Sequence, residues 1–270
     1  MSLFSTAGLW ALVLAWSGPE AAGDVDLLRR ISAAQIATER LDGDLRGRVD
    51  EVLKHGQLYT RGPTECFPCQ PGIYRWLLDH PHWGVHAWRA LGATKIKLEP
   101  QADGSFLGSD QQGGELRWRP ILAEAGRRVW YAEGSGRMAP LMPIISVRAV
   151  VLLKFQEVQG EDGRIGIRQR TEVFALYDGR AAELACKLIG LTAEAAGKKV
   201  IEQIGLFFSG MAWYLSENPE WGLCVLTPTT AGETPRRELA QLHQQLQPLT
   251  RTGRAGRLDS SQPRSYVPRP

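Results

Sequence analysis

Apolar residues recur along this chain with two different periods, and the switch between them separates helical from extended regions. Over residues 24–56, Leu27, Leu28, Ile31, Ile36, Leu41, Leu45, Val49, Val52 and Leu53 return at three- and four-residue steps, the repeat of one helix face. Gly43 and Gly47 weaken the middle, so the pattern allows one helix or two short ones. Gly56 stands where a helix cap is expected. A short extended piece over 57–60 then leads into the loop Arg61-Gly62-Pro63-Thr64-Glu65. Residues 71–91 return to the helical period through Ile73, Trp76, Leu77, Val85, Trp88 and Leu91. Pro81 falls inside that run and predicts two helices, with the proline opening the second.

From Ala93 to Asp178 the period is two. Leu116, Trp118 and Leu122 alternate with Glu115, Arg117 and Arg119. Gly126 marks a turn, and residues 127–137 follow. The clearest strand is 145–155, where every odd position is apolar while Ser146, Arg148 and Lys154 fall between them. A turn at Glu161-Asp162-Gly163 predicts a hairpin partner over 165–177. Residues 180–215 read as one long helix with the stripe Leu184, Leu188, Leu191, Ala195, Val200, Ile204, Phe208, Met211 and Leu215, stopped by Asn218-Pro219. Gly190, Gly197, Gly205 and Gly210 each cost that helix about 1 kcal/mol relative to alanine. They either break it into pieces or let a backbone or ligand approach closely. The expected class is α+β: an antiparallel curved sheet packed on a long C-terminal helix and preceded by N-terminal helices.

The order of those elements, with Tyr74-Arg75-Trp76-Leu77-Leu78-Asp79-His80-Pro81, Trp88-Arg89-Ala90-Leu91-Gly92 and Gly114-Glu115-Leu116-Arg117-Trp118, resembles the helix-grip proteins of the START-like, Bet v 1 and polyketide-cyclase superfamily. The resemblance covers about residues 57–217. It implies a sheet curled round the long helix and an apolar space between them that takes a lipid or other hydrophobic small molecule. The lining residues it implies are Trp118, Tyr131, Val147, Val151, Phe174, Phe208 and Met211. It brings no catalytic motif to transfer, and fold alone does not establish function.

Composition narrows the picture further. The chain has 270 residues, 43% hydrophobic and 23% charged, enough to bury a substantial core. A net charge of +3 is too small to argue for a nucleic-acid partner. Arg251, Arg254, Arg257, Arg264 and Arg269 concentrate positive charge in a tail over 228–270 that is poor in apolar residues and is expected to be disordered. Such a tail suits contact with an anionic membrane surface or a solvated end. At the other end, Leu9-Trp10-Ala11-Leu12-Val13-Leu14-Ala15-Trp16 is shorter than the roughly 20 apolar residues of a spanning helix. Ala21-Ala22-Gly23 sets small residues before Asp24, so residues 1–23 read as a cleaved signal and the chain as exported, with an uncleaved N-terminal membrane anchor as the alternative.

Candidate chemistry centres on Cys66-Phe67-Pro68-Cys69, twelve residues, and His82-Trp83-Gly84-Val85-His86. Two thiolates and two imidazoles at that spacing suit a tetrahedral zinc site of Cys66, Cys69, His82 and His86. Against it, Ile73 and Asp79 occupy a finger's core positions, and Pro81 precedes the first histidine. The same cysteines also fit a redox pair, a small disulfide loop or two free thiols ahead of a helix. Catalysis finds less support. Ser209 lacks the first glycine of a nucleophile elbow, and no phosphate loop, dinucleotide fingerprint or HExxH is present. Glu133 and Glu172 could pair inside a cavity, and Arg148 and Arg170 could hold an anionic head group. Charged residues on alternating strands more often face solvent. The expected function is binding of a hydrophobic ligand, with an interaction module stapled by zinc or a disulfide, or a cavity enzyme, as the alternatives.

Overall fold

Period-two segments rich in Val, Ile, Phe and Tyr cannot satisfy their backbone groups alone, so they pair into one antiparallel sheet. The computed structural model describes residues 22–110, 113–136, 144–160, 163–179, 193–226, 240–242 and 244–246. Within them, helix α1 (Ala22–Ala33), a short 3-10 turn at Thr38–Arg40 and α2 (Gly43–His55) precede strands β1 (Leu58–Arg61) and β2 (Glu65–Pro68). Helices α3 (Pro71–Asp79) and α4 (Pro81–Ala90) follow. Then come β3 (Lys97–Pro100), β4 (Phe106–Ser109), β5 (Glu115–Glu124), β6 (Arg127–Gly136), β7 (Ile145–Gln159) and β8 (Ile165–Tyr177). Helices α5 (Ala193–Glu217) and α6 (Pro219–Val225) complete the described elements.

The sheet runs β1-β8-β7-β6-β5-β4-β3, with β2 also paired to β8. Its two faces carry two separate cores. On the inner face Trp130, Ala132, Val147, Ala149, Val151, Val173 and Ala175 meet Ile73, Leu77 and Trp88 from α3 and α4, and Phe208, Met211 and Leu215 from α5. On the outer face Val129, Tyr131, Val150, Leu152 and Phe174 meet Ile36, Val49 and Val52 from the N-terminal helices. Both faces of β7 are therefore covered, which is why its apolar positions run on beyond strict alternation.

The expected class stands: an α+β protein with an antiparallel sheet and helices on it. Pro81 opens α4 as the sequence predicts, and the region before Gly56 is two helices joined by a 3-10 turn. Gly56 closes α2 through its N–H to the Val52 carbonyl, with an ordinary negative φ of −57°. One difference matters. The cysteine motif runs along the end of a strand: Cys66 and Phe67 face Arg168 and Ile167 across the β2–β8 ladder, and Cys69 follows the last residue of β2. Among the described residues the long helix begins at Ala193. Residues 180–192, most of the segment read as a signal (residues 1–21) and most of the basic tail lie outside the described residues. No described helix is long and apolar enough to cross a membrane.

Candidate binding site

Sheet register decides which side chains share the space under α5. One row across the inner face runs Phe106, Trp118, Ala132, Ala149, Ala175 and Leu58. Three consecutive alanines leave the middle of the sheet without side-chain bulk, so the volume must be filled from the helix side. Phe208 and Met211 of α5 reach into it, and both are buried. Phe208 stacks on Trp130 at 5.7 Å between ring centroids and an interplanar angle of 5°. Trp118 meets both rings edge-on, 5.4 Å from Trp130 and 6.5 Å from Phe208. The Nε1 of Trp118 is buried and has no hydrogen-bond partner. Such a donor ordinarily finds an acceptor, and leaving it bare costs about 1–3 kcal/mol.

Of the lining residues expected from the sequence, Trp118, Val147, Val151, Phe208 and Met211 share this inner face. Tyr131 and Phe174 do not: they belong to the outer core beneath the N-terminal helices, on the far side of the sheet from α5. The physical reason is parity. In β6, Trp130 and Ala132 point inward, so Tyr131 between them points outward, and Phe174 follows the same rule between Val173 and Ala175.

The inner face also carries a polar chain. The Tyr74 hydroxyl donates to Gln169 Oε1, and Gln169 Nε2 donates to Glu65 Oε2 at 2.6 Å. The Glu65 carboxylate rests against α5 at Gly205, where a Cβ would stand 2.8 Å from Oε2. Gly210 similarly admits the Trp88 indole, 3.3 Å from where its Cβ would be. These two glycines thus serve close approach by side chains of the same protein. Gly190 lies outside the described residues.

Glu133 and Glu172 lie on the outer face of the sheet, the placement that alternation favours over a pair in a cavity. Glu133 accepts from Arg48 at 3.0 Å and from Tyr131 Oη at 2.9 Å. Glu172, fully buried, takes Tyr59 Oη at 2.9 Å and Lys154 Nζ at 3.1 Å, with Arg61 Nε at 3.7 Å. Ser32 of α1 reaches the Tyr59 hydroxyl at 3.3 Å, so this cluster lies beneath the N-terminal helix. Arg148 faces outward and binds Glu51, and Arg170 bonds the Thr64 hydroxyl.

The cysteines and histidines of the zinc-like pattern sit on different elements. Cys66 and Cys69 flank the end of β2. On α4, His82 stacks on Phe106 at 5.5 Å, and His86 lies edge-on to Trp83 at 5.7 Å. Among the described residues no three His, Cys, Asp or Glu side chains gather as a metal site. Cys66, Cys69 and Cys224 are free thiols there, and Cys186 lies outside the described residues. Burial, with Glu157 adding to it, pushes the Cys69 thiol up to about 12. Since the thiolate is the reactive form, Cys69 should resist alkylation at neutral pH in the folded protein, while exposed Cys224 labels first. Peptide mass mapping after a timed iodoacetamide pulse reads this directly. Rapid native labelling of Cys69 would contradict its burial.

No family model matches this sequence, and no curated protein matches it. Solved structures do. A conserved protein from Geobacillus kaustophilus is 14% identical, over 55% of this chain and 95% of that one, with a TM-score of 0.34. A hypothetical protein from Helicobacter pylori is 11% identical, over 61% of this chain and 92% of that one, with a TM-score of 0.36. TM-scores this low carry no argument for a shared activity.

Proposed function

We propose that this protein binds a lipid or other hydrophobic small molecule between the inner face of its sheet and α5. In this reading it is a helix-grip protein of the START-like, Bet v 1 and polyketide-cyclase kind. The observation that carries the reading is Trp118, whose buried N–H has no acceptor while its ring joins the aromatic wall beside the alanine row. A largely apolar ligand with one oxygen acceptor suits such a wall: the rings supply contact area, and the single donor fixes orientation. Register supports the same place, since Ala132, Ala149 and Ala175 present only Cβ atoms to the space under Phe208 and Met211.

Native mass spectrometry of the chain from Asp24, purified without refolding, tests the proposal. The expected result is extra mass released as a lipid or comparable apolar compound, or saturable binding of added long-chain fatty acid. Trp118→Phe keeps an aromatic ring at this position while removing the N–H donor and part of the indole's contact area. The packing lost with the smaller ring and the relief of the unpaired donor oppose each other, so stability should change by no more than about 2 kcal/mol, while fatty-acid binding should weaken roughly fivefold to tenfold. A variant that binds as tightly as the parent, or a parent that neither retains nor takes up apolar ligand, would sink the reading.

A further inference from the structure

Many arginines of the described fold face a carboxylate. Arg48 pairs with Glu133, Arg148 with Glu51 and Arg128 with Asp79. One place gathers several cations that do not. At the end of α4 the chain turns through Gly92, whose φ of +70° is open to glycine at no steric cost. Its N–H bonds the Arg89 carbonyl and the Ala93 N–H the Trp88 carbonyl, a tight helix stop that sends the chain back toward β3. The turn sets Lys95 and Lys97 beside His86 and Arg89, around an open cleft of about 720 Å³. Among the described residues no carboxylate pairs with Arg89, Lys95 or Lys97.

The other wall of the cleft comes from β4. Lys97 sits directly across the β3–β4 ladder from Ser109, whose hydroxyl adds a neutral hydrogen-bonding group. Asp110 is the one carboxylate among the described lining residues. It is engaged with its own turn, accepting from the Gly114 N–H at Oδ1 (2.8 Å) and donating its N–H to the Gly114 carbonyl (3.1 Å). Lysines on an edge strand also deter edge pairing, and β3 is the sheet's edge. That role explains Lys97. It does not explain why Arg89 and His86 from a helix converge with the lysines on one concavity. Three positive charges set against the single charge of Asp110 leave the lining net positive, and a concave wall concentrates the potential.

We propose that this cleft is an anion site for a phosphate-bearing ligand, either a free phosphorylated small molecule or the phosphate of a lipid head group. Arg89 supplies a planar fork matched to phosphate oxygens, and Lys95 and Lys97 supply two point charges. The site lies on the α4–β3 edge, apart from Trp118, and stands whether or not the apolar proposal does.

Calorimetric titration of the full chain with inorganic pyrophosphate, in parallel with Arg89→Gln/Lys95→Gln/Lys97→Gln, tests it. All three residues are exposed, so the variant should fold normally, and an unchanged circular dichroism melt confirms that. The parent should bind saturably, at least tenfold tighter than the variant. Its affinity should fall several-fold as salt rises to about 0.15 M, where the screening length is about 8 Å. A second arm uses vesicles of phosphatidylcholine, with and without phosphatidylglycerol. Pyrophosphate binding without vesicle binding assigns a free ligand. Binding to anionic vesicles that pyrophosphate displaces assigns a head group. No binding in either arm, or a variant that binds like the parent, overturns the site. Trp118→Phe should leave pyrophosphate affinity unchanged, so the two proposals fail separately.

Discussion

Trp130→Ala is expected to destabilise the fold by about 3–5 kcal/mol, a large share of the roughly 5–15 kcal/mol that holds a domain together. Trp130 is 1% exposed and lies where sheet and long helix meet. It stacks on Phe208 and takes the edge of Trp118, while Val151 stands beside it on β7. Removing the indole strips contact from all three and leaves a void next to the alanine row, which has no bulk to collapse into it. Trp130→Phe keeps an aromatic ring on Phe208 and should recover a substantial part of the loss. Urea unfolding followed by far-UV circular dichroism measures both, with a shifted midpoint and an unchanged slope as the expected signature. A loss under about 1 kcal/mol would mean that the interface is slack, and the packed wall described for Trp118 would have to be abandoned.

The second large effect belongs to Glu172. Its carboxylate is fully buried under α1 and faces Lys154 and Arg61, whose side chains are 31% and 34% exposed. Glu172→Ala leaves two cations and the Tyr59 hydroxyl without their acceptor. Loss of one partner from a fully buried pair costs about 3–5 kcal/mol. Partial solvent access to both cations lowers the expectation here to about 2–4 kcal/mol. Burial by itself would raise the proton affinity of Glu172. The hydrogen bonds from Ser32, Tyr59 and Lys154 together outweigh it and hold the group below its ordinary value. A carboxylate depressed in the folded state contributes stability above its unfolded pKa of about 4.3, and that contribution is lost as pH falls through the folded value.

Glu172→Gln should therefore flatten the acid limb of the stability curve. The parent is expected to lose more of its urea midpoint than the variant between pH 7 and strongly acid pH. Glu51 and Asp103 are also lowered, by the Arg148 hydrogen bond and by Ser105 respectively. They act in parent and variant alike, so the difference isolates Glu172. Identical acid limbs would show that the cluster under α1 does not titrate with folding.

Much of the fold was legible because local rules govern it. The proline that opens α4, the Gly56 cap and the hairpin of β7 with β8 follow from backbone chemistry within a few residues. Strand parity was legible too, and it separates Trp118, Val147 and Val151 from Tyr131 and Phe174 once one residue is anchored to a face. What alternation cannot supply is the anchor. In β7 the odd positions read as one apolar row, but Val150 and Leu152 between them left open whether the other face was covered too. Glu172 shows the same limit. Its phase places it opposite Val173, but only the docking of α1 turns that outer position into a buried one.

The sequence by itself therefore determined most of the elements, their order and the α+β class, since periodicity, proline and glycine act over a turn or a strand. It also marked the long helix's unexpected glycines, but could not say what came close to them. Tertiary structure alone decided that Glu65 fills the space at Gly205 and that Cys66 lies in a strand away from the histidines of α4. It also decided that Arg89, Lys95 and Lys97 share a cleft without a paired carboxylate among the described residues. Each of these depends on which distant segments meet. That is set by summed burial over both faces of the sheet, a quantity that no window of neighbouring residues contains.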